Sequence, residues 1–147
     1  MSDNLIKNCY KKILSADSVY DIAIETPTQF APKLSSKLSN QLFIKREDLQ
    51  PVFSFKLRGA YNKISKLKSI RHIVAASAGN HAQGVAMTCH KLRLQSSIVM
   101  PLTTPTIKIN AVKKLGSKVI LSGDTYDEAY SFAIKYAKEN NFNFVHP

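Results

Sequence analysis

Lys56 sits between two apolar residues in the stretch Pro51-Val52-Phe53-Ser54-Phe55-Lys56-Leu57-Arg58-Gly59-Ala60-Tyr61-Asn62. Burying an unpaired ammonium is costly, so a lysine in that company has two readings. It snorkels outward on its long stem, or it is used chemically. A desolvated lysine releases its proton more readily and becomes a nucleophile able to form a Schiff base. A second stretch, Ala75-Ala76-Ser77-Ala78-Gly79-Asn80-His81-Ala82-Gln83-Gly84, is rich in small and polar groups. Ser77 offers a hydroxyl, Gly79 permits close backbone approach, and Asn80 has the side chain of a helix N-cap. This loop is either a well-capped helix start or an anion cradle made of free backbone N–H groups.

Other chemistries lack their signatures. No GxGxxG follows a strand, no GxxxxGK[ST] occurs, and no Ser/His/Asp order stands out. Cys9 and Cys89 are far apart without CxxC spacing, so neither a disulfide nor a metal site is expected. His72, His81, His90 and His146 have no zinc-ligand spacing.

The elements that position these residues follow from periodicity. Residues 3–16 have helical spacing, with Leu5, Ile6, Cys9, Ile13 and Leu14 on one face. Thr26-Pro27 ends what precedes it. Residues 28–40 hold at most one helical stretch around Leu34 and Leu38, and residues 41–45 read as a strand. After the charged loop 45–51, Leu57, Ala60/Tyr61, Ile64 and Leu67 recur with a helical period, which puts Lys56 at or just before the first turn. There the helix dipole disfavours an ammonium and exposed N–H groups favour an anion. Strands are then expected at 71–76, 96–101, 117–121 and 142–145, and helices at 80–91, from Thr104-Pro105 to Gly116, and from the Thr125–Glu128 capping box onward. Thr104 is expected to cap its helix, with Pro105 at the first helical position. In that last helix Tyr126, Ala129, Tyr130, Ala133, Ile134 and Ala137 share a face. The order is β-α-β-α-β-α-β-α-β, an α/β fold with one parallel sheet and helices on both faces. In such sheets ligands bind beyond the carboxyl ends of the strands, where Ser77–Asn80 and the loop before Lys56 are both expected.

The chain has 147 residues, 44% hydrophobic and 21% charged, as an ordinary globular chain does. No apolar run approaches a membrane span and residues 1–7 contain no leader core, so a cytoplasmic location is expected. A net charge of +11 raises nucleic-acid binding as a possibility. The basic residues are scattered, lysine outnumbers arginine 17 to 4, and aromatics are not interleaved with them. That pattern argues against it.

Ser54-Phe55-Lys56-Leu57-Arg58-Gly59-Ala60, with Ser77-Ala78-Gly79-Asn80-His81-Ala82-Gln83-Gly84 placing Asn80 24 residues after the lysine, resembles the pyridoxal-phosphate enzymes of the second fold type, the tryptophan synthase beta-like architecture. Within them it looks most like the threonine dehydratases (threonine deaminases, or threonine ammonia-lyases) of isoleucine biosynthesis. Thr26-Pro27, Lys45-Arg46-Glu47-Asp48 and Ile98-Val99-Met100-Pro101 extend the likeness from about Tyr20 to the end. The resemblance implies pyridoxal 5'-phosphate as cofactor, L-threonine as substrate and a homotetramer. It implies that Lys56 holds the cofactor and then takes the Cα proton. It implies that Phe55 lies beside the cofactor ring, that Asn80 bonds its phenolic oxygen, and that Ser77, Ala78, Gly79 and His81 frame the substrate carboxylate. Serine/threonine dehydratases and serine racemases carry nearly the same motifs and remain alternatives, as does a non-catalytic remnant serving as a binding module for an acidic partner.

The five glycines include no adjacent pair, and the glycine-rich phosphate loop that the family needs is missing, as is a group for the pyridine nitrogen. The expectation is therefore that residues 1–147 are the N-terminal part of a catalytic domain, with about 71–147 resembling its small α/β subdomain. The rest of that domain and the regulatory domain lie elsewhere, and the isolated chain would bind cofactor poorly and be inactive.

Overall fold

In the computed structural model, residues 3–147 are described. Met1 and Ser2, part of the stretch read for a leader, lie outside them. Helix α1 (Asp3–Leu14) forms where its periodicity predicts. Its apolar face is bare: Leu5 is 50% exposed and Ile13 71%. No helix among the described residues is long and apolar enough to cross a membrane.

Strand β1 (Thr28–Phe30), helix α2 (Pro32–Lys37) and strand β2 (Phe43–Lys45) come next. The two strands pair antiparallel, Thr28 opposite Lys45 and Phe30 opposite Phe43, with the two phenyl rings 5.3 Å apart. This corrects the expectation that residues 41–45 belong to the parallel sheet. A strand inside such a sheet is apolar on both faces. Phe43-Ile44-Lys45 is exposed throughout, and it takes the nearby partner that a short connection offers.

The parallel sheet holds β3 (Ile73–Ala76), β4 (Ser96–Met100), β5 (Lys118–Leu121) and β6 (Asn143–Phe144), in the spatial order β5-β4-β3-β6. Helices α3 (Lys56–Ile64), α4 (Asn80–Lys91), α5 (Thr106–Lys114) and α6 (Tyr126–Glu139) cover it. Side chains alternate across a strand, so the two faces can be read separately. Ile73, Ala75, Ile98 and Met100 pack with Ala60 and Ile64 of α3, Val85 and Ala86 of α4 and Val112 of α5. Val74, Ala76 and Val99 pack on the opposite face against Ala129, Ala133 and Ala137 of α6. Three alanines spaced by four let that helix lie close on the sheet. From β3 the chain winds outward through β4 and β5, and then β6 returns to the other side of β3. The winding reverses at β3, which opens a crevice beyond its carboxyl end.

Helix ends follow local chemistry with two exceptions. Thr125 Oγ1 accepts from Glu128 N (3.3 Å) and the Glu128 carboxylate accepts from Thr125 N (3.3 Å), the expected capping box. Gly116, at φ +86°, follows α5 in the left-handed conformation that favours glycine. Thr104 does not cap α5. Pro105 is still extended (ψ 138°) and occupies the cap position itself, which leaves Thr104 Oγ1 buried without a partner. Asn80 is likewise the first helical residue of α4, and Gly79 holds the cap position.

The capping box predicts that Thr125→Ala lowers stability by about 1 kcal/mol, a thermal midpoint roughly 2–4 °C lower for a chain of this size. Unchanged thermal unfolding would show that the box adds nothing.

Candidate active site

The loop into Lys56 is held by a partly buried polar network. Glu47, in a short 3-10 turn (Glu47–Leu49), receives Arg58 Nε at 2.8 Å and Nη2 at 3.0 Å, a two-point pairing of guanidinium and carboxylate. Thr26 Oγ1 donates to the same carboxylate at 2.6 Å, and the Lys45 ammonium donates to the Thr26 carbonyl. Gln50, 1% exposed, accepts from Ile24 N at 3.0 Å and donates to Ile24 O at 2.8 Å. The Arg58 pairing, helped by Thr26 and Gln50, outweighs desolvation and holds Glu47 at a pKa of about 2. The Lys45-Arg46-Glu47-Asp48 run is thus a brace: it ties the loop to residues 24–26 on one side and to α3 on the other.

Lys56 is the first residue of α3 and is half-buried. Its N–H bonds Ser54 Oγ at 3.2 Å, so Ser54 caps the turn from two residues upstream. The Phe55 ring is 61% exposed, and Lys56 Nζ lies 5.9 Å from its centroid. The loop before α4 repeats the device, with Gly79 N–H bonded to Ser77 Oγ at 3.2 Å. No side chain caps α4, so its first N–H groups remain available to an anion.

Gly84 fixes how the two motifs meet. A Cβ placed there would lie 3.1 Å from the Lys56 carbonyl oxygen, 3.2 Å from the Lys56 carbonyl carbon and 3.3 Å from Leu57 N. Glycine lets α4 approach the backbone of Lys56 this closely without a shift; a larger residue would push the two apart by a few tenths of an ångström. The result is a cleft of about 290 Å³ lined by Phe55, Lys56, Gly59, Ala60, His81, His146 and Pro147. It lies at the β3/β6 switch point, with His81 following β3 and His146 following β6. His81 is 7% exposed and its Nε2 has no partner. Burial holds this imidazole below the usual histidine range; the Val145 carbonyl opposes that shift, while Lys56 and His146 add to it.

Of the residues singled out in the sequence, Lys56, Phe55 and His81 meet in this cleft. Ser77, Ala78, Gly79 and Asn80 form the loop that leads into it and do not line it. Sequence reasoning missed the brace through Thr26, Glu47 and Gln50, the packing role of Gly84, and His146. Gly84 stood within the quoted motif, whereas burial of Thr26 and Gln50 has no local signal.

A family model described as pyridoxal-phosphate dependent enzyme matches residues 19–147. The chain belongs to that family. Among curated proteins it is 55% identical over 135 residues to a threonine dehydratase of Nicotiana attenuata, covering 90% of this chain and 22% of that one. It is 48% identical over 143 residues to a biosynthetic L-threonine dehydratase of Burkholderia multivorans, covering 93% and 28%. Among solved structures, processed threonine deaminase isoform 2 of Solanum lycopersicum superposes with a TM-score of 0.87 at 45% identity, covering 99% of this chain and 40% of that one. Maize serine racemase gives 0.80 at 26% identity, covering 98% and 43%. The chain spans about a quarter of the length of the curated relatives it matches.

The cleft suits the cofactor of this family. It combines an amine that can condense with an aldehyde, uncapped N–H groups nearby for an anion, and a buried nitrogen at His81 without a partner among the described residues.

Two expectations follow. Gly84→Ala should cost about 1–3 kcal/mol and slow reductive methylation of Lys56 relative to the other lysines. An unchanged relative rate would mean that Gly84 does not position it. The Glu47 carboxylate is depressed in the folded chain, so its stabilisation is complete above pH 4.5 and is lost as pH falls toward 2. Glu47→Gln should flatten this part of the stability profile and cost about 1–3 kcal/mol at neutral pH by leaving Arg58 without its charge partner. Denaturant titrations at several pH values check both, and parallel profiles for wild type and variant would contradict the assignment.

Proposed function

We propose that the protein carrying this chain deaminates L-threonine to 2-oxobutanoate and ammonia, the entry reaction of isoleucine biosynthesis. The observation that carries the reading is identity of 46–55% to threonine dehydratases of plant, bacterial and fungal origin. Serine racemases share the fold at much lower identity, which supports the dehydratase over the racemase.

With pyridoxal phosphate bound, Lys56 Nζ would hold its aldehyde carbon and would be the base that takes the proton from the substrate Cα. The bound cofactor supplies the electron sink that makes a carbanion at Cα accessible. Phe55 would lie beside the cofactor ring, and Asn80 would bond its phenolic oxygen. Ser77, Ala78, Gly79 and His81 surround the substrate carboxylate with hydroxyl and backbone N–H donors, as the uncapped start of α4 favours. Loss of the β-hydroxyl leaves an unsaturated amine that hydrolyses to the oxo acid.

In this reading residues 1–147 are the front of a catalytic domain, with about 71–147 as its small subdomain, assembled into a tetramer. The compartment is the cytoplasm or an organelle matrix; relatives are described as chloroplastic in Arabidopsis thaliana and mitochondrial in Saccharomyces cerevisiae.

Assay of the full-length protein with L-threonine and pyridoxal phosphate should give 2-oxobutanoate, and Lys56→Ala should lower turnover about 10³-fold. Racemisation of serine exceeding threonine deamination, or full activity in Lys56→Ala, would contradict the reading.

A further inference from the structure

Four of the five glycines have a reason within the chain. Gly84 meets the backbone of Lys56, Gly116 and Gly123 have positive φ, and Gly79 holds the cap position of α4. Gly59 has no such reason. It lies inside α3, outside the left-handed region, and a Cβ placed there would meet nothing within 4 Å. Among residues other than proline, glycine is the poorest helix former. Alanine at this position would hold α3 more firmly, with no clash against any described residue. Packing within the described residues therefore does not account for the bare backbone at Gly59.

Its place in the helix does. Residues three apart share a helix face. Gly59 stands one turn after Lys56 on the wall of the same cleft of about 290 Å³. Beside it on that wall is Ala60, so α3 presents its smallest surface to the space that the Lys56 amine shares. Gly59 also borders a groove next to α1, lined by Tyr20, Arg58 and Asn62 among others. A polypeptide segment laid in that groove is the rival occupant. It would meet the side chains of Arg58 and Asn62, which hold it off the helix axis, and would gain little from a missing side chain between them. We propose that Gly59 is a cofactor-contacting position, kept without a side chain so that the ligand carried by Lys56 can lie against the backbone of α3. This rests on the reading of the cleft as the site of a pyridoxal-phosphate enzyme. It adds a binding position that acts by the room it leaves.

Stability and binding should then move in opposite directions, which a glycine needed only for packing does not allow. In the full-length apoprotein, Gly59→Ala should slow amide exchange in α3 about 2–5-fold. It should weaken pyridoxal phosphate, titrated by its imine absorbance, about 10-fold. Asn62→Ala changes an exposed residue of α3 outside the cleft. It should also slow exchange in α3 and leave the affinity as it is. Faster exchange in Gly59→Ala would show that another part of the polypeptide occupies the space over Gly59. Unchanged affinity would show that the ligand does not reach it. An equal loss of affinity in Asn62→Ala would show that a stiffer helix, rather than a filled cleft, weakens binding. Each of these would overturn the proposal and leave the cofactor reading standing. Failure of the wild type to form an imine with pyridoxal phosphate would overturn the cofactor reading, and the Gly59 assignment with it.

Discussion

The contact between α4 and the backbone of Lys56, made possible by the missing side chain at Gly84, is the constraint on which the rest of this structure depends. It sets the distance between the helix that begins with Lys56 and the helix that follows Ser77–Gly79. The surrounding core serves this approach. Ala60 and Ile64 of α3 and Ala82, Val85 and Ala86 of α4 share one buried cluster with Ile73 and Ala75 of the central strand. Small residues on the facing helices keep them close, and larger ones on the sheet fill the space beneath.

The second support is electrostatic. The loop before Lys56 buries Val52 and Gln50 but leaves Leu49, Phe53 and Phe55 exposed, so polar contacts carry much of its fixing. Arg58 and Glu47 pair at two points, and Gln50 ties the loop to the backbone of Ile24. Charged groups that would otherwise lose water without return are thereby satisfied, and the loop is held from both sides. Phe53, at φ +56° in this loop, adopts a conformation unfavourable for a bulky residue. Such a conformation persists where neighbours over-determine it, and functional loops are where it is usually found.

Much of this was legible in the sequence, for identifiable reasons. Asn80–Lys91 and the capping box at Thr125 are local patterns, and local patterns fix helix boundaries. Ile73–Ala76 is a short apolar run between polar residues, as a strand buried on both faces must be. Lys56 was placed correctly at a helix start because Leu57, Ala60/Tyr61 and Ile64 recur behind it. The strand Thr28–Phe30 was not legible: three exposed residues between two prolines carry no period. The partner of Phe43–Lys45 was misjudged because strand pairing is a long-range choice. Thr26 and Gln50 read as ordinary loop residues, since their partners Glu47 and Ile24 are distant in sequence. His146 joined the site only through the return of β6 beside β3, which no local pattern records.

The central claim is that this architecture makes one lysine chemically distinct from the other sixteen. The most direct measurement is borohydride reduction of the protein after incubation with pyridoxal phosphate, followed by peptide mapping of the phosphopyridoxyl label. The account predicts label concentrated on the peptide that contains Lys56. Label spread over surface lysines, with Lys56 unmodified, would contradict it.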